Sequence, residues 1–453
     1  MTIPTYSGLG TALSGLEAMQ AGIDTTSENI SNASNPDYAD ESVNLVTNPS
    51  ITYFTGQGGN LPVEVGTGVS VGSITRNDDQ FIDGQYWTAN ANSSYYSTLS
   101  NQLTDTEDDL NTSATSGLQS ALSSFYSSWQ TLSTDSSVGS TVLGSATTLA
   151  QQLNQASQQI STLQSQAQDQ VTTLTSAGGE LDQYATDIAQ LNTQIAATSA
   201  AGLSSNSLQD QRAAVIDQLS TLANIKVTQQ SNGSDTITLM NDSTTPATPV
   251  GASPLVDGGN GTTVPDASAA VTLPAATDLG SVGGTIGALA QLADTNAADP
   301  NASLAQLGQQ LDTFAGDLAT NVNTTSGTSF FTTSDGSSTI TAANIAVNPA
   351  VTSTTLAALP SATSTAVHGT ETDSTNDLAT FVSQVGNTVG QATDSAGTAA
   401  SLLTNISNER QSVSGVSLDQ EMTNLITYQQ GYQASARVMN TMQSVINTLI
   451  QSV

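Results

Sequence analysis

Both ends of the chain carry apolar residues that recur in alternating steps of four and three. They are Leu9, Leu13, Leu16, Ile23 and Ile30 at the N-terminal end, and Leu418, Met422, Leu425, Tyr432, Met439, Ile446 and Ile450 at the C-terminal end. Such steps place the residues along one stripe of a helix, as in coiled-coil helices. Because the two ends match, the sequence predicts that they pair as an antiparallel coiled coil, with the middle of the chain looped outward.

The C-terminal segment also has a second apolar row, formed by Val438, Met442, Val445 and Leu449. A pair of helices covers about one stripe on each helix, so this row is expected to stay uncovered in a single chain and to mark an interaction surface. Two alternatives remain open: a local domain covers both rows, or the helix is disordered when alone.

Two tyrosines, Tyr428 and Tyr432, lie four residues apart in the segment YQQGY and share a helix face. They are either aromatic anchors of an interface or ordinary packing within the chain. The predicted assembly interface contains the N-terminal stripe together with Leu418, Met422, Leu425, Tyr428, Tyr432, Met439, Met442, Val445, Ile446 and Leu449.

The middle of the chain alternates between helical and extended patterns. Residues 43–75 alternate between apolar and polar side chains, which predicts hairpins; residues 149–195 continue the four-three rhythm, although Gly178-Gly179 can break that helix. Asn232-Gly233 predicts a further hairpin. The predicted fold is mainly α with β-rich insertions, elongated and multi-domain. Its predicted units are a terminal coiled-coil domain (1–42 and 413–453), a long-helix domain with a β-hairpin part (43–202 and 371–412) and an outer β-rich domain with flanking helices (203–370).

The charge of the chain is strongly one-sided. Five Lys and Arg residues stand against 38 Asp and Glu residues, which gives a net charge of −33, and only 9% of all residues are charged. Nucleic acids and anionic membrane surfaces are bound through clustered Lys and Arg, so the sequence predicts neither partner. No apolar run is long enough to span a bilayer. The segment MTIPTYSGLG lacks the basic start and apolar core of an ordinary secretory signal.

Few features of the sequence indicate a catalytic or metal-binding site. There is no cysteine, which excludes disulfides and thiol catalysis, and the single histidine, His368, stands in a loop-like context. The acidic run Glu107-Asp108-Asp109 is typical of a solvated helix face. We therefore predict no enzyme, no catalytic residue, no cofactor and no metal. An extracellular glycosidase or protease would be expected to have more aromatic residues than 4%.

Several segments resemble the family of flagellar rod, hook and hook-associated proteins. The N-terminal segment LGTALSGLEAMQAGIDTTSENISNASNPDY resembles the N-terminal signature of that family, and SGVSLDQEMTNLITYQQGYQASARVMNTMQSVINTLI resembles its C-terminal signature. The segment YQQGYQASARV is similar to that of the hook–filament junction members rather than to hook or rod members. LQDQRAAVIDQLSTLANIKVTQQSNGSDTITL, PLVDGG and SGTSFF resemble interior landmarks of the same family.

The resemblance implies a structural protein of the bacterial flagellum that joins hook to filament by self-assembly through its terminal helices. The implied partners are copies of itself, the hook protein, the next junction protein and filament, and an export chaperone on the C-terminal helix. The implied location is extracellular, after export through the flagellar type III channel. The alternatives are another axial protein, such as a hook or filament subunit, or less favourably an extracellular coiled-coil adhesin.

The chain departs from the family pattern in one turn and in its charge. Where the family commonly has Pro-Gly-Tyr followed by Ser or Thr and Arg, this chain has Pro36-Asp37-Tyr38-Ala39-Asp40, so the sequence assigns no contact to Asp40. At neutral pH, stacked subunits of this charge would repel one another. We therefore expect an acidic medium, in which most Asp and Glu side chains would be protonated.

Overall fold

A computed structural model describes residues 5–55, 61–110, 117–241, 247–250, 253–259, 281–298 and 303–451. Most of these residues are helical. The helices are α1 (Thr5–Asn32), α2 (Gln80–Leu110), α3 (Leu118–Thr134), α4 (Gly139–Thr175), α5 (Glu180–Ala200), α6 (Asn206–Leu222), α7 (Gly284–Ala293), α8 (Ser303–Ser326), α9 (Ser353–Ala357), α10 (Ser361–Gly369), α11 (Glu371–Ser414) and α12 (Leu418–Gln451). A short 3-10 helix covers Ser136–Val138.

The first and last helices lie side by side and run in opposite directions. Gly8 lies beside Met442, Gly15 beside Ser435 and Gly22 beside Tyr428, so residue numbers rise along α1 as they fall along α12. We call α1 and α12 the terminal pair. The two ends of the chain therefore meet along the length of both helices.

A β-ribbon follows α1 and packs against it. Strands β1 (Glu41–Thr47) and β4 (Val69–Arg76) pair antiparallel, and β2 (Ile51–Thr55) pairs antiparallel with β3 (Leu61–Val65). This agrees with the hairpins predicted for residues 43–75. The chain then enters α2 at Gln80.

The stretch predicted as one long helix over residues 149–195 is divided. Helix α4 ends at Thr175 and α5 begins at Glu180, because Gly178 adopts a φ of +81° that ends the helical path. Each helix keeps a buried apolar face on its own side of the break. The predicted seam is therefore correct in pattern but belongs to two helices.

The stretch predicted as a β-rich domain, 203–370, holds more helix than strand among its described residues. Strands β5 (Ile225–Gln229), β6 (Asp235–Asn241) and β7 (Thr248–Pro249) form one antiparallel sheet, and β8 (Phe331–Thr333) pairs with β9 (Ile345–Val347). The Asn232-Gly233 turn joins β5 to β6 as predicted, with Gly233 at φ +84°. Helices α6 to α10 make up the rest. His368 lies in the last turn of α10 and not in a loop, because Ser364 and Val367 of that helix are buried.

The body of the molecule has a continuous apolar core that the terminal pair does not share. Helices α2 to α11 contribute to the core, and the rings of Phe125, Tyr126, Trp129, Phe330 and Phe331 pack edge-on or tilted at its centre. Apolar helix faces from 203–370 are buried here against α2 and α4. Among the described residues, no member of this core belongs to α1 or α12.

Candidate functional site

The C-terminal helix α12 has almost no fully buried side chain. Glu421 is its one buried residue among those whose side chains the structure describes. A soluble amphipathic helix normally covers its apolar stripe against the core of its own chain. Helix α12 packs mainly on α1, and most of its apolar side chains stay in contact with solvent.

The contact between the two helices is made by small residues at a spacing of seven. Gly8, Gly15 and Gly22 of α1 face α12, and a Cβ atom placed on Gly22 would lie 2.7 Å from the ring of Tyr428. On α12, Gly431 lies against Met19 in the same way. Glycine lets the two backbones approach closely, since it has no side chain to keep them apart.

The predicted stripe on α1 therefore lies beside the contact row and not within it. Leu9, Leu16 and Ile23 each follow a contact glycine by one residue, which turns them about 100° away from α12. They are half-buried, as is Ile30, while Leu13 is 48% exposed. The prediction that this stripe forms the seam between the two helices is wrong by one residue, because close approach favours glycine over leucine.

The predicted stripe on α12 also lies beside the contact row of its helix, on the same side of the terminal pair as the stripe on α1. Leu425 and Tyr432 follow the contact residues Glu421 and Tyr428 by four positions, about 40° of rotation. In an antiparallel pair, rotation in the same sense along each chain brings both stripes to one side. Half-buried residues Leu425, Met439 and Ile446 agree with this position.

We call this face the apolar side of the terminal pair. It comprises Leu9, Leu13, Leu16, Ile23 and Ile30 of α1, and Leu418, Met422, Leu425, Tyr432, Met439, Ile446 and Ile450 of α12. The β-ribbon does not cover it, because Gly68 of the ribbon approaches Thr11 and Ser14 on the other side of α1. Eight of the sixteen exposed large apolar side chains of the described residues belong to the terminal pair, which is a small part of the chain.

The second row of α12 is only partly uncovered. Val438 and Val445 are exposed, as predicted, but Met442 packs against Gly8 in the contact row. The prediction that Met442 stays uncovered is therefore wrong, since the spacing of seven from Tyr428 through Ser435 places it opposite a glycine. The side chain of Leu449 lies outside the described residues. Tyr428 packs within the chain, and Tyr432 is partly exposed.

A buried polar cluster, which we call the Asn29 cluster, joins the terminal pair to the rest of the chain. It consists of Asn29, Tyr38, Asp40, Asn77 and Glu421. The fully buried Asn29 Nδ2 donates to Asp40 Oδ1 at 2.8 Å and to Glu421 Oε2 at 3.0 Å, and Tyr38 Oη donates to Asn29 Oδ1 at 2.7 Å. Asn77 Nδ2 donates to Asp40 Oδ2 at 2.8 Å. Asp40, to which the sequence assigned no contact, thus has several.

Three of the five basic residues form ion pairs within the molecule. Arg76 pairs with Asp78 and Asp210, each at 2.6 Å, and Arg212 pairs with Asp235 at 3.0 Å. Arg410 of α11 pairs with Asp83 of α2 at 2.8 Å and Asp217 of α6 at 2.5 Å, and its guanidinium lies 4.6 Å from the Tyr86 ring centre. The two ion pairs of Arg410 fix α11 against α2 and α6. Because three of the five basic residues are paired in this way, the surface has very little positive charge.

Replacement of Arg410 by lysine is expected to lower the free energy of unfolding by about 1–2 kcal/mol. Lysine keeps the charge but cannot bridge two carboxylates with one planar group or stack on Tyr86. Chemical denaturation of the full chain measures the change. Arg437→Lys is the matched control, because Arg437 is exposed and has no ion pair among the described residues, so its effect should stay within about 0.5 kcal/mol. Equal effects of the two substitutions would contradict the bridging role of Arg410.

The described residues contain no group of three His, Asp or Glu side chains arranged to hold a metal ion. In the same part of the chain, none of the helices is both long and apolar enough to cross a membrane. The surface that stands out is the apolar side of the terminal pair. Its chemistry is that of protein–protein contact, since large apolar side chains surround few charges.

Comparison with family models identifies two regions of the chain. Residues 103–339 match the flagellar hook-associated protein FlgK helical domain, and residues 408–452 match the flagellar basal body rod FlgEFG protein C-terminal region. The first match covers more than half of the chain. The second covers all of α12.

Curated relatives carry one name. The flagellar hook-associated protein 1 of Bacillus subtilis (strain 168) is 32% identical over 236 residues, which are 51% of this chain and 46% of that protein. The protein of the same name from Escherichia coli (strain K12) is 31% identical over 241 residues, 51% of this chain and 42% of its own length. The matched part thus spans less than half the length of these relatives.

A search of solved structures finds the flagellar hook junction protein FlgK from Burkholderia pseudomallei. That structure is 26% identical to this chain, and the match covers 56% of this chain and 45% of the other, with a TM-score of 0.41.

Proposed function

Because this chain belongs to the family of the flagellar hook-associated protein FlgK, we propose that it is a structural subunit of the bacterial flagellum which joins hook to filament. In this proposal copies of the chain assemble with one another through the terminal pair. The names of the curated relatives support the hook-associated location.

One observation carries the assembly role: α12 is striped with apolar side chains but buries only Glu421 among its described side chains. Leu418 is 51% exposed and Met422 57% exposed, and both lie on the apolar side of the terminal pair. Soluble monomers rarely leave a continuous apolar face in water. Further copies of the same chain, packed side by side, would bury this face, and the interface residues predicted from the sequence would then lie in or beside it.

We propose that the terminal pair is a coiled-coil unit (1–42 and 413–453), that residues 43–202 and 371–412 form the long-helix unit, and that residues 203–370 form the outer unit. The other proposed partners are the hook protein, the next junction protein and filament, and an export chaperone on α12. The proposed location is the exterior of the cell, reached through the flagellar type III channel.

Removal of the gene from the source organism tests the proposal directly. Cells without the chain should build hooks that carry no filament, and the intact chain should restore filaments. A chain that lacks residues 418–453 should be exported poorly or fail to restore them, because the apolar side loses one of its two helices. Normal filaments on cells that make only the truncated chain would refute the proposed role of α12.

Self-assembly should also depend on pH. At pH 7 the net charge of −33 opposes contact between copies, and below about pH 4 most of that charge is lost by protonation. Light scattering of the purified chain between pH 3 and pH 8 should therefore show assembly that increases as the pH falls. Strongest assembly at pH 8 would contradict the proposed acidic medium.

A further inference from the structure

The Asn29 cluster lies where the terminal pair meets the rest of the chain. The backbone of Asp40 bonds to two connecting segments: its N–H donates to the Ser414 carbonyl at 2.8 Å, and its carbonyl accepts from the Asn77 N–H at 2.8 Å. Its side chain accepts from Asn29 of α1. One residue therefore ties α1, the end of α11 and the segment between β4 and α2 together.

Helix α12 is attached to the same point through a second carboxylate. Glu421 is 95% buried, and its two oxygens accept from Asn29 Nδ2 at 3.0 Å and from Asn424 Nδ2 at 2.9 Å. Asn29 Nδ2 has two hydrogens but three acceptors, since it also reaches the Glu41 carbonyl at 2.8 Å. Two carboxylates therefore compete for one amide group, and among the described residues neither of them has an ion pair.

The surroundings of the cluster hold more acid than base. The titratable and charged groups that face it are Glu28 of α1, Tyr38, Glu41 of β1, Arg76 of β4 and Asp210 of α6. The guanidinium of Arg76 is occupied by Asp78 and Asp210. Neighbouring negative charges in a poorly hydrated site repel each other more strongly than in water.

We propose that the Asn29 cluster is a proton-operated latch, in which protonation of the Asp40 carboxyl group holds the terminal pair firmly to the rest of the chain and its ionisation loosens it. A protonated carboxyl group supplies the hydrogen that the cluster lacks and removes one of the two charges. The latch goes beyond the proposed assembly role, because it acts within one chain.

The direction of the pH effect follows from Asp40. Burial raises the pKa of Asp40, and the charge of Glu421 raises it further, although the Asn77 amide acts in the opposite direction. The folded chain therefore holds a proton at pH values where the unfolded chain has released it. Stability of the junction should rise as the pH falls through this raised pKa, which is the opposite of ordinary acid denaturation.

Hydrogen exchange of the full-length chain, at concentrations where it is monomeric, tests the latch. After correction for the intrinsic pH dependence of exchange, amides in residues 29–41 and 414–421 should be about tenfold more protected at pH 4.5 than at pH 7. Asp40→Asn and Glu421→Gln each remove the competition, so each should show strong protection at both pH values.

The matched control is Asp419→Asn, which removes one carboxylate from the first turn of α12 at an exposed position. It should keep the pH response of the unaltered chain, because it changes net charge without changing the cluster. Equal or weaker protection of the unaltered chain at pH 4.5 would overturn the proposal. So would a full pH response in both Asp40→Asn and Glu421→Gln. The unaltered chain decides the outcome even if one variant fails to fold.

Discussion

A chain in which Leu418 and Met422 are both replaced by serine should keep its fold but lose self-assembly. Both side chains are about half exposed in the single chain, so serine removes little that is buried there. In an assembly the exposed half of each side chain would be buried, and each would contribute about 0.8–1.5 kcal/mol. Loss of both should weaken association by at least about tenfold.

Sedimentation velocity at pH 4.5 measures this effect, with thermal unfolding at pH 7 as the test of an intact fold. The matched control replaces Leu203 and Val382 by serine, because these two side chains are equally or more exposed but lie outside the terminal pair. The control should assemble as the unaltered chain does. If both double variants assemble alike, the apolar side of the terminal pair is not the contact surface.

Replacement of Gly22 by glutamine should separate α1 from α12. The new Cβ atom would lie within 2.8 Å of three atoms of the Tyr428 ring, so the ring or the helices must move. Overpacking of this kind costs about 1–3 kcal/mol, more than the roughly 1 kcal/mol that helix propensity returns. No described residue of the terminal pair belongs to the apolar core, which therefore does not offset the loss, and limited proteolysis should cut both helices much faster.

Gly10→Gln provides the comparison on the same helix. Gly10 is exposed and has no atom within 4 Å of an added Cβ, so the substitution should leave proteolysis unchanged or slow it slightly. Similar cleavage rates for the two variants would show that the glycine contacts do not hold the pair together.

The sequence was sufficient to predict that the two ends of the chain pair, but not which residues touch. Periodicity of apolar residues identifies a stripe such as Leu9, Leu16 and Ile23, because burial of large side chains is the usual reason for such a repeat. Here Gly8, Gly15 and Gly22 repeat with the same period one residue earlier. Hydrophobic periodicity does not detect a contact row that is formed by glycine, because glycine has no side chain.

The Asn29 cluster was missed for a different reason. Asn29, Asp40 and Glu421 are polar residues far apart in sequence, and nothing in their local context distinguishes them from solvated residues. They meet only because the terminal pair brings α1 beside α12. Similarly, the Ser- and Thr-rich stretch around His368 looked irregular, although α10 buries Ser364 and Val367 against neighbouring helices. Burial in the tertiary structure determines the conformation of such segments more strongly than their local helix propensity does.

The contact glycines of α1 repeat every seven residues, and such a repeat allows more than one register between two helices. If α1 slid along α12 by one repeat of seven, each glycine would still meet a residue of the opposing contact row, while the chain end would move by about 10 Å. The hydrogen bond from the Asn29 amide to the Glu421 carboxylate favours the observed alignment over the shifted one, as does the hydrogen bond from the Asp40 N–H to the Ser414 carbonyl. These polar contacts help to set how far the tip of each subunit extends, and with it the length that every copy would present to the next.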